Sequence, residues 1–197
     1  MAEKLSLTYG PLANDIQEVL LTPIEIQEHV ARLGLAISRD YLGRNPLLVG
    51  VLKGVLFFMA DLLRNITIPV EMDFIAVSSY TKESHDHGYV RLVKDLEIPI
   101  HQRHVLFVED VIDTGLTLNY ILQNLRARQP ASLEVCVIFN KPEHRLLDIP
   151  LKYKGFDLPD RFVVGYGLDY REKYRNLPFV GLLKPQVFQT SLGKQSL

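Results

Sequence analysis

The sequence predicts an α/β protein with a mostly parallel central sheet and helices on both faces. Three observations lead there. Short, nearly all-apolar runs recur at 47–52, 105–108 and 133–139, as expected of strands buried on both faces. Helical stretches alternate with them, the first with apolar residues three and four apart, the spacing of one helical face. Strands alternating with helices imply a parallel sheet covered on both sides. No repeat, low-complexity tract or linker divides the 197 residues, so a single domain is expected over 1–197, with an N-terminal arm over about 1–21.

The elements follow in order. Thr22-Pro23-Ile24-Glu25 reads as a helix start: threonine caps, proline fits the first helical position, and glutamate three residues on completes a capping box. Ile26, Val30, Leu33, Ile37 and Tyr41 then form one apolar stripe, and Asn45-Pro46 ends the helix. The strand at 47–52 is interrupted by Lys53-Gly54, and 55–64 reads as a helix. Residues 70–74 alternate like a strand that runs on to Ser79-Tyr80. Residues 81–88 are polar and charged, an exposed loop, and 89–93 return as the second strand of a hairpin. After the strand at 105–108 come an acidic turn and a helix over about 116–128. Strands at 133–139, 161–164 and 179–183 complete the set.

Composition narrows the function. The net charge is −1 and the pI about 6.6, which gives no support to a general nucleic-acid or membrane-surface role. Cys136, the one cysteine, sits in the apolar run 135–139 and reads as a buried, inert thiol. No signal peptide and no bilayer-length apolar run are seen, so a soluble cytoplasmic protein is expected.

In a doubly covered parallel sheet, ligands bind beyond the carboxyl ends of the strands. That rule points to Lys53-Gly54, 109–117, Lys141 and 165–169, each after an expected strand and so expected on one rim. The second is the most informative. Glu109 and Asp110 would point to opposite faces of a regular strand, so both can serve one ligand only if the strand ends there. Asp113-Thr114-Gly115-Leu116-Thr117 leads into a helix. Backbone N–H groups of such a turn, with the helix N-terminus and the two threonine hydroxyls, suit a phosphate dianion. Neither a Walker A loop nor the dinucleotide glycine motif is present. Two carboxylates before the turn suit vicinal hydroxyls or a hard divalent cation. Phosphate, diol and metal together describe a ribose 5-phosphate carrying pyrophosphate.

The segment 108–117 resembles the phosphoribosyl-pyrophosphate signature of the type I phosphoribosyltransferases. The likeness runs over about 15–185. Leu52-Lys53-Gly54, Ser78-Ser79-Tyr80, 90–96, Asn140-Lys141-Pro142, 162–170 and Arg175-Asn176-Leu177-Pro178, in that order, resemble the bacterial-type hypoxanthine-guanine enzymes. The resemblance implies the type I fold, with terminal segments forming a small hood for the purine. It implies transfer of 5-phosphoribosyl to a 6-oxopurine with Mg²⁺ as cofactor, in a homodimer or homotetramer. Asp113 would be the general base. Glu109 and Asp110 would orient ribose and metal, and Thr114, Gly115, Leu116 and Thr117 would hold the 5-phosphate. Lys141 would donate to O6 of the base. Phe162 would stack on the purine, and Val163 would offer backbone groups to its edge. Asp169 would sit near base and metal, Arg175 would hold pyrophosphate, and Lys53-Gly54 would contact it through a cis peptide. The loop after Ser79 and Tyr80 would close as a lid. Its sequence departs from the Gly/Ser/Thr-rich pattern of the family, and its His85 and His87 read as a solvated lid rather than a metal site. Two alternatives stay open: a regulatory phosphoribosyltransferase-like protein that binds nucleotide with little catalysis, and a glycoside hydrolase using Glu109 and Asp113.

Overall fold

Helix α1 (Pro23–Asp40) starts where its capping chemistry dictates. Thr22 N–H donates to Glu25 Oε2 at 2.8 Å, and Glu25 N–H donates to Thr22 Oγ1 at 3.3 Å. Two orphan amides of the first turn are thereby satisfied reciprocally. The structure, a computed structural model, describes residues 7–80 and 89–192. The expected lid at 81–88, with His85 and His87, lies outside the described residues.

The chain resolves into two compact units: 29–160, and 1–28 together with 161–197. The larger unit holds a six-stranded sheet of order β4-β3-β2-β5-β6-β7. Its strands are β2 (Leu47–Leu52), β3 (Glu71–Tyr80), β4 (Tyr89–Lys94), β5 (His104–Ile112), β6 (Ser132–Asn140) and β7 (Tyr153–Asp157). All pairings are parallel except β3 with β4, the expected hairpin. The period-2 pattern explains how both faces are covered. Leu47, Val49, Val105, Phe107, Val135 and Val137 face one way and pack with Leu118, Ile121, Leu122 and Leu125 of helix α3 (Leu116–Arg126). On the other face, a side chain at Gly50 would run into Val55 and Met59, so helix α2 (Leu56–Asn65) lies directly on the backbone there. Helix α1 lies against the end of α2, where Ser38 Oγ accepts from Thr67 N–H at 2.9 Å.

Strand β7 was not foreseen. Its sequence, Tyr153-Lys154-Gly155-Phe156-Asp157, holds three residues poor in β-propensity. It forms because the edge of β6 is there to pair with, Cys136 opposite Tyr153 and Asn140 opposite Asp157.

The smaller unit is built on a three-stranded antiparallel sheet, β1-β9-β8, from Ile16–Leu21, Val180–Leu183 and Val163–Val164. Two expectations are corrected here. The strands at 161–164 and 179–183 do not complete the main sheet, and the segment read as an arm contains β1, which pairs with β9. Around this sheet Ile16, Val164, Tyr174, Leu177, Phe179 and Leu183 make a separate core. A last helix, α4 (Pro185–Leu192), follows β9.

Candidate active site

Strand β5 does not end at the acidic pair. It runs on to Ile112 because β6 continues to pair with it, Glu109 opposite Val137, Val111 opposite Phe139 and Ile112 opposite Asn140. On its other side the pairing with β2 stops at Gly50 opposite Val108. The expected strand end is therefore corrected, and the two carboxylates diverge as adjacent strand residues must. Asp110 turns to the chain leaving β2. A side chain on Gly54 would collide with Asp110 Oδ2, so glycine is what lets that carboxylate lie over the turn. The cis peptide belongs to Leu52–Lys53, one bond before the Lys53–Gly54 step at which it was expected.

Glu109 shares a cavity of about 210 Å³ with Val111, Ile112, Asp113, Thr114, Gly115, Thr117 and Leu118. Its Oε2 is buried with no hydrogen-bond partner. Burial, and after it the charge of Asp110, pushes this carboxyl well above the usual range. A buried acid with an unsatisfied oxygen and its charge suppressed awaits donors or a cation.

The turn itself has the geometry of an anion cradle. Gly115 is the residue before α3 and sits at φ +83°, in the left-handed region where glycine carries no Cβ penalty. No side chain caps the helix, so its first-turn amides are not taken by an internal carboxylate or hydroxyl at the cap. Leu116 is half exposed, and its N–H makes only a long contact, 3.4 Å, with Thr114 Oγ1. The segment after β6 braces this turn. Lys141 N–H donates to Ile112 O at 2.9 Å and Leu146 N–H to Thr114 O at 3.0 Å, while Ile149 packs close beneath Gly115.

Asp113 is half exposed at the mouth of the turn, its Oδ1 2.6 Å from Nδ1 of His144. The second ring nitrogen of His144 lies 2.5 Å from Asp160 Oδ1. Those two carboxylates, Asp113 first, hold the imidazole above its ordinary pKa. Sequence reading missed His144 and Asp160. Nothing in their spacing marks them, since they meet Asp113 only through the brace after β6.

The other expected residues lie as follows. Ser79 and Tyr80 end β3, with Ser79 opposite Val90 and Tyr80 opposite Tyr89. Phe162 is 49% exposed, and the rings of Tyr170 and Phe188 meet it edge-on, each 5.6 Å away between centroids. Val163 points its side chain into the core and pairs with Leu182. Arg175 and Asp169 are brought together, Nη2 to Oδ1 at 2.7 Å, and Arg175 Nη1 donates to Gly167 O at 2.7 Å. Lys53-Gly54, 109–117 and Lys141 all leave the carboxyl ends of strands in the six-stranded sheet. Residues 165–169 follow β8, a strand of the three-stranded sheet rather than of the six-stranded one, which corrects the strand they were expected to leave.

Such a turn at the end of a doubly covered parallel sheet defines a protein of the phosphate-binding α/β class. The chain belongs to the phosphoribosyl transferase family, whose domain matches residues 20–171. It is 45% identical over 179 residues to the hypoxanthine-guanine phosphoribosyltransferase of Bacillus subtilis (strain 168), covering 91% of this chain and 99% of that protein. The enzyme of the same name from Streptococcus agalactiae serotype V is 48% identical over 177 residues, covering 90% and 98%. A hypoxanthine phosphoribosyltransferase from Staphylococcus aureus superposes with a TM-score of 0.86 at 46% identity, over 90% of this chain and 96% of that one. Membership sets the glycoside-hydrolase alternative aside.

Proposed function

We infer that this protein is a purine-salvage enzyme that transfers 5-phosphoribosyl from phosphoribosyl pyrophosphate to hypoxanthine and guanine, releasing pyrophosphate. The observation that carries this is the cavity at the end of β5. It joins the buried, unpartnered Oε2 of Glu109 to an uncapped helix N-terminus preceded by Asp113, Thr114 and Gly115. Diol, phosphate and a base for proton transfer are each met by one part of it.

The turn Thr114–Thr117 would hold the 5-phosphate by backbone amides and threonine hydroxyls. Glu109 would accept from the ribose hydroxyls. Mg²⁺ keeps waters and takes one or two carboxylates plus substrate phosphates. Among the described residues no three metal-ligating side chains converge, so Glu109, Asp110 and Asp169 are the candidates from which one or two carboxylates would come, and when bound the ion neutralises charge on the pyrophosphate. Arg175 and the Lys53-Gly54 turn would bind pyrophosphate. The bond from N9 of the purine to the anomeric carbon forms as the bond from that carbon to pyrophosphate breaks, the electron pair leaving with pyrophosphate. Asp113 takes the proton from N7 as this happens.

Lys141 would donate to O6 of the base. Adenine sets an amino group against that ammonium, donor against donor, which disfavours it. Phe162 would stack on the ring and Val163 would offer backbone groups to its edge. Closure of the loop after Ser79 and Tyr80 would exclude water from the reacting sugar. A homodimer or homotetramer in the cytoplasm belongs to the same reading. The exposed Leu56 and Phe57, just after the Lys53 turn, are apolar surface that a subunit contact would cover.

The test is pyrophosphate release from the donor with hypoxanthine, guanine, xanthine, adenine and uracil in turn, with and without Mg²⁺. Release with hypoxanthine and guanine, none with adenine or uracil, and none after chelation is expected. Binding of purine nucleotide with no release from any base would sink the catalytic reading. Gly54→Ala should lower kcat/KM for the donor by about 10- to 100-fold, because the new methyl displaces the Asp110 carboxylate from its place over the turn. Steady-state kinetics with varied donor measures it.

A further inference from the structure

Asp113 is tied to a second carboxylate by a ring. His144 lies at the end of a short 3-10 turn, Pro142–His144, in the brace after β6. Its Nδ1 is 2.6 Å from Asp113 Oδ1 and its Nε2 is 2.5 Å from Asp160 Oδ1. Both neighbours are acceptors, so both nitrogens must carry hydrogen. A neutral ring would aim a lone pair at one of the carboxylates. The geometry therefore describes an imidazolium between two anions. The backbone bonds from Lys141 to Ile112 and from Leu146 to Thr114 flank the contact and fix the ring's segment against the turn that carries Asp113.

We propose that His144 is a positioning residue for Asp113: as an imidazolium anchored on Asp160, it holds the carboxylate by Oδ1 in one orientation, so that the purine proton is taken on Oδ2. This rests on the reading of Asp113 as the base. A half-exposed aspartate in a turn has several rotamers open to it. The bridge selects one before the purine arrives. His144 is not a catalytic residue in this scheme, because it acts through Asp113 and Asp160 and keeps both its protons through the turnover.

The bridge is pH-dependent. The charged groups that face the ring are Asp113 from the turn after β5 and Asp160 from the chain after β7. On its own segment Arg145 is turned away, onto Asn140 Oδ1 at 2.8 Å and Ile149 O at 3.4 Å, and Lys141 and Glu143 are its other charged neighbours in sequence. The two carboxylates raise the ring's pKa, so the bridge persists above the ordinary histidine range. It opens as pH rises through that raised value, when one nitrogen loses its hydrogen. Turnover should therefore carry an alkaline limb that belongs to His144.

The experiment compares the pH dependence of kcat across the neutral and alkaline range for the full chain and its His144→Gln, His144→Arg, Asp160→Asn and Asp113→Asn variants. His144→Gln and Asp160→Asn should each lower kcat about tenfold with donor KM nearly unchanged, the usual scale for loss of an orienting partner. His144→Gln should also lose the alkaline limb. His144→Arg, a cation with N–H groups on both sides at every pH in the range, should recover most of the turnover and stay flat at high pH. Wild-type turnover with an unchanged alkaline limb in His144→Gln would overturn the proposal, as would an equal fall in the Gln and Arg variants with the limb retained. Asp113→Asn separates the two readings. If it is nearly inactive while His144→Gln is normal, only the positioning role fails. If it turns over like the wild type, the base assignment beneath the proposal fails.

Discussion

Asp113→Asn should lower kcat by about 10²- to 10⁴-fold, the range that a positioned general base contributes, with donor KM within a small factor of the wild type. The separation follows from where Asp113 stands. The 5-phosphate is assigned to the amides and hydroxyls of 114–117 and the ribose to Glu109, and asparagine changes neither. It keeps an oxygen for hydrogen bonding but cannot take the purine proton at neutral pH. The substitution therefore removes an interaction made only in the transition state, which lowers kcat and kcat/KM together. The measurement is steady-state kinetics with donor and hypoxanthine varied separately, supported by direct titration of donor binding. Equal losses in affinity and turnover, or no loss in either, would remove Asp113 from the role of base.

Glu109→Gln should do opposite things to folding and to binding. In the free protein the Glu109 carboxyl is buried with an unpaired oxygen, and its pKa lies well above the ordinary carboxylate range, through burial first and Asp110 second. The folded state thus holds a proton on Glu109 at pH values where the unfolded chain has lost it. Stability from this group is complete below the unfolded pKa and drains away as pH rises towards the folded one. Glutamine has no such titration. At pH 8 the variant should be more stable than the wild type by on the order of 1 kcal/mol, because glutamine has no proton to lose there, and by roughly 2–4 °C in Tm per kcal/mol. Near pH 4 the two should melt together. Donor KM should rise about tenfold or more, because a charge-assisted acceptor for the ribose hydroxyls and the cation is lost. Thermal melts against pH, with and without donor and Mg²⁺, read both effects. A variant that binds donor like the wild type would show that the orphan oxygen has another purpose.

The parallel-sheet architecture was readable from local pattern. Runs such as Leu47–Leu52 are buried on both faces because helices cover both, and that leaves an apolar signature no tertiary knowledge is needed to see. The capping box at Thr22 and Glu25 is equally local, since its partners are three residues apart. The turn before α3 was also legible, because amide donors, a glycine at positive φ and a helix start are consecutive in the chain. Reading failed where an element borrows its partner from far away. Strand β7 is weak in propensity and exists by pairing with β6, and β1 lies in a segment that looked like an arm until β9, from the other end of the chain, paired with it. The acidic pair was misjudged for the same reason. Whether β5 stops at Glu109 depends on β6 continuing to pair alongside it while β2 does not.

The segment 108–117 was therefore determined in kind by its own ten residues: two acids, a further aspartate, and a turn of amide and hydroxyl donors, in that order. Tertiary structure alone decided how those groups are shared out. It set Asp110 over Gly54, left an oxygen of Glu109 buried without a partner, and delivered His144 and Asp160 to Asp113. The physical reason is range. Backbone cradles and helix caps are made by neighbours in sequence, whereas burial, carboxylate pKa and ion pairs are set by whichever segments the fold packs alongside.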